Sequence, residues 1–442
     1  MSAQILQDHL QLCEAQARFE GSIQDVGLRI MKSGNAIYLN LADPKWRAVR
    51  ITESGWQVEA SPHAKFRRSR GMIELPEPVR GGSLDQLRPF INAGEKSTWI
   101  LLISWLIGAF NPTGPYPILV LQGEQGSAKS TTARVLRSLI DPGRPALRSS
   151  PRDERDMMIA ASNSTVLAYD NLSGTQQWLS DALCRISTGG GFSTRELHSD
   201  TEETLFDASR PIILNGIDDV ATNPDLADRA LMVTLPTIPY ERRKTERQFW
   251  QNFEECRPAI LGSLLDALSV GLKNAGKIAL RKMLRMADFA EWVCACCMSH
   301  GLPFAADEFL EDYLQNRTDS VMVSIESSPI ATAVERLLLN ESDNGPAQWQ
   351  GTAADLLQRL ISITSEESRR SREWPKDVRS LGNKLRRVAA PLRDAGIDVE
   401  FARVGHAKTR LITLALTSRF FLEKDVRNVR NGELEHQVTW CQ

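Results

Sequence analysis

Four apolar residues, Ile118-Leu119-Val120-Leu121, run into Gly123-Glu124-Gln125-Gly126-Ser127-Ala128-Lys129-Ser130-Thr131, and an amphipathic helical pattern follows at once over 132–140. No other stretch restricts the fold as strongly. A wholly apolar strand meeting a glycine-containing turn and then a helix is one unit of a parallel α/β sheet. In such a turn successive backbone N–H groups and the helix N-terminus face inward at a phosphate. The Lys129 ammonium then reaches the terminal phosphates and the Ser130 hydroxyl ligates Mg²⁺. Ala128 replaces the second glycine of the pattern, and because it adds only a methyl group the loop is expected to close.

A nucleotide site of this kind needs an acid at the end of a second buried strand to hold the Mg²⁺ shell. The run 165–169 followed by Asp170 supplies it. The next residue, where a glutamate would polarise the attacking water, is Asn171. Two readings stay open: Asn171 orients water by hydrogen bonds alone, or another acid is the base, with Glu124 the nearest in sequence. A third apolar run, 211–214, ends in Asn215, an amide suited to positioning water beside a γ-phosphate. Arg229, ahead of a fourth apolar run at 230–235, is a candidate arginine finger acting on a neighbouring subunit; an ion pair with Asp225 or Asp228 is its alternative.

The chain divides into four stretches. Residues 1–95 read as a small β-rich domain with a leading helix and strands at 36–41, 48–52 and 56–60. Residues 96–240 alternate helix and apolar strand as a nucleotide-binding core; 241–326 are helical and charged, a lid. Residues 327–442 complete the chain as a winged-helix domain with a tail. The net charge of −2 excludes a uniformly basic binder, yet 369–430 alone carries 16 Lys/Arg against 7 Asp/Glu. A basic module sits on an acidic body.

Within that module, 329–339 and 352–361 read as helices and 377–395 as a third, whose polar face displays Arg379, Lys384, Arg386, Arg387 and Arg393. Strands at 397–404 and 409–416 follow, joined by a turn holding Lys408. A basic helix beside a basic hairpin suits duplex DNA, mostly through phosphates. Arg67, Arg68 and Arg70 around Phe66 form a second basic patch, read as a solvated loop or a nucleic-acid contact. Cys294, Cys296 and Cys297, with His300 near, lie in an apolar helical pattern and read as core rather than metal ligands. Seven scattered cysteines, the absence of an apolar leader over 1–20, and a longest apolar run of about twelve residues at 99–110 imply a cytoplasmic chain without a membrane span.

Taken in order, residues 123–131, Asp170-Asn171, Asn215 and Arg229 resemble the Walker A, Walker B, sensor 1 and arginine-finger elements of AAA+ ATPases. The Ala-Lys-Ser ending of the loop is similar to that of MCM-type helicases. Residues 189–206 resemble the hairpin that superfamily 3 and MCM helicases insert before the sensor strand. By that resemblance Arg195 and His198 face single-stranded DNA in a central channel. The layout is similar to the ATPase part of phage, plasmid and integrated-element primase-helicases. It implies an AAA+ α/β fold, ATP and Mg²⁺ as cofactors, and a homo-oligomeric ring, expected to be a hexamer. The implied activity is replicative DNA unwinding or translocation for a mobile element. A nucleotide-gated DNA switch or loader that hydrolyses slowly without unwinding is the competing reading, and a protein-remodelling ATPase a third. Arg257, opening a helical pattern in the lid, is a candidate second nucleotide sensor.

Overall fold

The computed structural model describes residues 3–172, 174–195, 203–206, 209–216, 223–280, 284–341, 347–371, 373–404 and 409–417. Helix α1 (Ala3–Glu20) has no buried residue. Two-residue strands β1 (Val26–Gly27) and β6 (Lys65–Phe66) pair in parallel around an antiparallel four-stranded meander. Its strands are β2 (Ile30–Ser33), β3 (Ala36–Asn40), β4 (Ala48–Thr52) and β5 (Gly55–Glu59). The sequence gives no clear sign of β2, because Met31-Lys32-Ser33 alternates poorly; pairing with the wholly buried β3 holds it.

Helix α2 (Lys96–Ala109) is buried continuously from Trp99 to Ala109, which accounts for its all-round apolar sequence. Then come β7 (Ile118–Gln122), α3 (Lys129–Ile140), α4 (Glu154–Asn163), β8 (Leu167–Leu172) and α5 (Gln177–Thr188). An antiparallel pair, β9 (Phe192–Arg195) and β10 (Glu203–Phe206), precedes β11 (Ile212–Gly216), α6 (Pro224–Ala227) and β12 (Ala230–Thr234). The four apolar strands form one parallel sheet in the order β12-β7-β11-β8. Its two faces alternate as strand geometry requires. Leu119 and Leu121 enter one apolar cluster with α2 and α3; Ile118 and Val120 enter another with Met157, Leu183 and Leu226. The chain is thus mixed α/β with a parallel sheet.

Three helices follow: α7 (Glu246–Asn274), α8 (Ala287–Cys297) and α9 (Ala306–Glu326). The apolar core runs through the sequence positions 95 and 240 without a break. Ile37, Val49 and Trp56 of the meander share one cluster with Trp105, Leu136, Phe253, Leu264, Val293 and Phe309. Residues 79–82 cross α7 closely enough that a Cβ on Gly262 would stand 1.9 Å from the Val79 carbonyl oxygen, so only glycine fits there. Arg29, fully buried, extends the same junction. Its Nε donates to Asp141 Oδ1 at 3.1 Å, and its other nitrogens reach the carbonyls of Asn40, Ile73 and Pro142. The edge of β12 is covered by Asn316 of α9, whose side-chain amide pairs with both backbone groups of Met232.

The C-terminal stretch has its own apolar cluster, running from Val321 to Leu416. Helix α10 (Pro329–Glu341), strand β13 (Gln348–Gly351), helices α11 (Ala353–Ile363), α12 (Glu366–Arg370) and α13 (Val378–Asp394), and strands β14 (Ile397–Val404) and β15 (Thr409–Leu416) build it. The sheet order is β13-β15-β14. β13 is unexpected from the sequence; Gln-Trp-Gln-Gly is too short and polar to signal a strand, and it forms because β15 offers its free edge. Among the described residues no helix is long and apolar enough to cross a membrane.

Candidate functional site

The loop between β7 and α3 is shaped by left-handed residues: Gly123 (φ 137°), Gly126 (φ 88°) and Ala128 (φ 65°). Alternation of this kind turns peptide N–H groups toward one concave side. Ala128 is the strained member. A left-handed alanine costs about 1–2 kcal/mol that glycine would not, so the methyl group carries a backbone cost that its small size does not reveal. Ser127 Oγ donates to Glu124 O at 2.8 Å, and Ile238 N–H donates to Gly126 O at 3.2 Å, bracing the loop from inside and from the β12 side.

Four side chains converge at the C-terminal ends of three adjacent parallel strands. Lys129, nine-tenths buried, donates from Nζ to Gly123 O (2.5 Å) and Glu124 O (2.9 Å). Ser130 Oγ donates to Asp170 Oδ1 at 2.9 Å. Asn215, buried at the end of β11, reaches both, with Nδ2 2.9 Å from Ser130 Oγ and 2.5 Å from Asp170 Oδ1. A serine hydroxyl and a carboxylate oxygen side by side at a helix N-terminus are hard donors of the type Mg²⁺ takes with a phosphate, so these residues fit the ion expected from the sequence.

Asn171 stands differently from expectation. The pairing of β8 with β11 slips between Leu214 and Gly216, so Asp170 and Asn171 together oppose Asn215. β8 therefore runs through Asp170 instead of ending before it, and the extra residue makes a bulge. Asn171 occupies it at φ 55° with an exposed side chain that makes no hydrogen bond among the described residues. Asparagine is one of the few side chains that tolerates this conformation. Glu124 is exposed, and its Oε2 accepts from Thr237 Oγ1 at 3.1 Å. Gln125 is exposed on the same loop, and Thr131 lies in the first turn of α3.

Arg229 donates from Nη1 to Asp225 O at 2.7 Å and lies 3.8 Å from the Asp225 carboxylate, while its Nε is buried without a partner. Asp228 instead pairs with Arg285 (3.1 Å) and Arg317 (2.9 Å), and Arg317 also meets Asp394 of α13 at 3.5 Å. Arg257, a candidate second sensor, is buried against the far end of α3, donating to Ser138 O at 2.6 Å and pairing with Glu254. A residue the sequence reading passed over stands at the loop: an Arg243 nitrogen lies 3.1 Å from where a Cβ on Gly126 would be. Arg243 sits in a charged run, 241–244, with nothing to single it out in sequence.

The expected DNA contacts divide. The β9/β10 pair is present with Arg195 opposite Glu203, but the Arg195 side chain, His198 and Lys408 lie outside the described residues. On α13, Arg379 and Arg386 are exposed, with Arg386 packed over the Phe401 ring at 5.2 Å. Lys384 is turned aside, donating to Glu373 O (2.7 Å) and Oε2 (2.8 Å). Lys384 and Arg387 line an 860 Å³ cavity shared with Gln177, Trp178 and Asn223 of the nucleotide core, so this side of α13 faces the body of the protein. Cys294, Cys296 and Cys297 are buried in α8. Burial pushes the Cys294 thiol up to about 11 and Cys297 to about 12, and raises the Cys296 thiol well above its ordinary value, as suits packed thiols.

A parallel sheet carrying a phosphate-loop sequence, followed by a separate basic C-terminal unit, matches a replication protein in sequence as well. The profile for the actinomycete integrative conjugative element replication protein matches residues 84–307, just over half of the chain, and the chain belongs to that family. The profile for the RepA C-terminal domain of these same elements matches residues 330–427. No curated protein matches the sequence. Among solved structures, the NrS-1 C-terminal region aligns with a TM-score of 0.36 at 9% identity, covering 86% of this chain and 97% of that one. NtrX from Brucella abortus in complex with ADP gives 0.24 at 14% identity, covering 64% and 72%. The ORC1 protein of Aeropyrum pernix in complex with DNA gives 0.20 at 12%, covering 80% and 98%.

Proposed function

We propose that this mobile-element replication protein is an AAA+ ATPase that binds ATP with Mg²⁺, assembles as a ring, expected to be hexameric, and drives replicative DNA unwinding or translocation. The observation that carries the reading is the meeting of Ser130, Asp170 and Asn215 at one end of the parallel sheet, beside the loop whose carbonyls hold Lys129. In this reading the loop amides and Lys129 hold the phosphates, and Ser130 and Asp170 hold the ion, which supplies charge neutralisation. Asn215, hydrogen-bonded to both ion-side residues, fixes their geometry and senses what occupies the site. Arg229 completes a neighbour's site once released from Asp225, and Arg243 provides a cation over Gly126.

The C-terminal unit, with its order of helix, strand, three helices and two strands, fits a winged helix, and α13 with Arg379 and Arg386 is its duplex-facing element. Arg195 and His198 on the hairpin contact single-stranded DNA in the channel. Asn171 favours the second reading, a nucleotide-gated switch or loader with slow hydrolysis. An exposed amide in a bulge offers no base, and Glu124 is tied to Thr237. ATP turnover with and without single-stranded DNA, measured beside strand displacement from a forked duplex, separates the two. Stimulated turnover with displacement is the motor's result; slow, unstimulated turnover with tight duplex binding is the switch's.

A further inference from the structure

Residues 69–73 and 142–144 are zipped together by the bridge between Met72 and Gly143, with Arg144 N–H donating to Gly71 O and Ile73 N–H to Pro142 O. That pairing brings Arg67, Arg68 and Arg70 from the end of the β-rich segment against Arg137, Arg144 and Arg148 of the nucleotide core. The six line one cavity of 380 Å³. Such a concentration of like charge needs an explanation, and internal pairing does not supply it. The one acid in the lining, Asp141, is already committed: Oδ1 to Arg29, and Oδ2 to the backbone N–H groups of Thr165 and Val166.

The arginines are held in place but not neutralised. Arg137, only 3% exposed, gives Nη1 to the carbonyls of Pro145 and Ala146, while its Nε is buried with no partner. Arg148 donates to Ser164 Oγ at 3.1 Å and leaves its Nε unpartnered. Arg68 lies over the Trp46 ring at 3.7 Å, with Nε and one terminal nitrogen unpartnered. Arg67 reaches Asn163 Oδ1 at 3.4 Å. Arg70 and Arg144 are exposed at the mouth and make no side-chain hydrogen bond or ion pair among the described residues. Burial lowers the pKa of Arg68. Burial is also the largest influence on Arg137 and lowers its pKa, with Asp141 raising it and Arg148 and Arg29 lowering it.

We propose that this arginine cavity is a second anion site, and that its occupant is the phosphodiester backbone of DNA. Guanidinium groups bind phosphate bidentately, and six of them line one space, with Arg70 and Arg144 exposed beside it and making no side-chain hydrogen bond or ion pair among the described residues. The lining holds no aromatic ring on which a base would stack, so it recognises phosphate rather than a whole nucleotide. It is separate from the nucleotide site: Lys129 begins α3 and Asp141 caps its other end, about 18 Å away at 1.5 Å per residue. The occupant rests on the DNA-binding reading above; the anion site itself does not.

The test uses the full chain with Arg67→Ala/Arg70→Ala/Arg144→Ala, three exposed residues whose loss should leave melting within about 2 °C. Duplex and single-stranded DNA binding are followed by anisotropy across a salt series, beside the Arg379→Ala/Arg386→Ala protein. Expected is roughly tenfold weaker binding at physiological salt, a salt slope smaller by about 2 to 3, and unchanged ATP binding. Unchanged affinity and slope, with DNA lost only in the α13 variant, would overturn the proposal. So would pyrophosphate raising the melting temperature of the parent but not of the triple variant while DNA binding stays equal, since the site would then take a small phosphate. If the parent binds no DNA at all, the broader DNA reading fails first.

Discussion

The nucleotide core and the C-terminal unit place their polar chemistry in opposite ways. In the core, Lys129 and Asn215 are buried, and Ser130, Asp170 and Asn215 bond to one another across two strands and a helix end. On α13, Arg379 and Arg386 are exposed and make no hydrogen bond or ion pair among the described residues, with Arg386 lying over the Phe401 ring. Buried polar groups cost stability unless every partner is in place, so such a cluster is tolerated where a reaction demands fixed geometry. Phosphates along a duplex are reached by flexible side chains from many positions, and exposure suffices. The two regions meet through Arg317, which bridges Asp228, next to Arg229, and Asp394 at the end of α13.

The contrast can be broken at several points. The largest effect is expected for Arg29→Met, which strands the Asp141 carboxylate in the core; the loss should be about 3–5 kcal/mol by chemical denaturation. A loss below about 1 kcal/mol would show that the junction between the meander and the nucleotide core is not held by that pair. Asn215→Ala comes next, with ATP turnover falling on the order of 100-fold and stability by about 1–3 kcal/mol, because Ser130 and Asp170 each lose a partner. Arg379→Ala/Arg386→Ala should weaken duplex binding by about tenfold and lower the salt slope by about 2 while leaving stability within about 0.5 kcal/mol. Equal losses of affinity and stability would place these arginines in packing. Ala128→Gly is the smallest, a gain of up to about 1 kcal/mol as the left-handed strain is relieved.

Periodicity and punctuation made much of the architecture legible. The parallel strands follow from unbroken apolar runs, and 397–404 and 409–416 follow from alternation, their bounds matching β14 and β15. What stayed hidden depends on partners distant in sequence. β2 and β13 exist because neighbouring strands offer edges, and the bulge at Asn171 is set by how β8 meets β11. The spacing of 123–131, Asp170 and Asn215 singled out the residues that converge, since each closely follows an apolar run. Arg243 and the joined arginines of 67–70 and 137–148 could not be read this way. Their proximity comes from backbone crossings that leave no local pattern. Arg257, one of several arginines in the helical stretch that sequence could not tell apart, turns its side chain to the opposite end of α3.

The central claim is that Lys129, Ser130, Asp170 and Asn215 form one ATP site, and the steady-state ATP turnover of Lys129→Ala beside the parent tests it most directly. The account predicts Mg²⁺-dependent turnover in the parent and none above background in the variant, with both proteins melting alike. Turnover that survives Lys129→Ala would contradict it and move the nucleotide site elsewhere in the molecule.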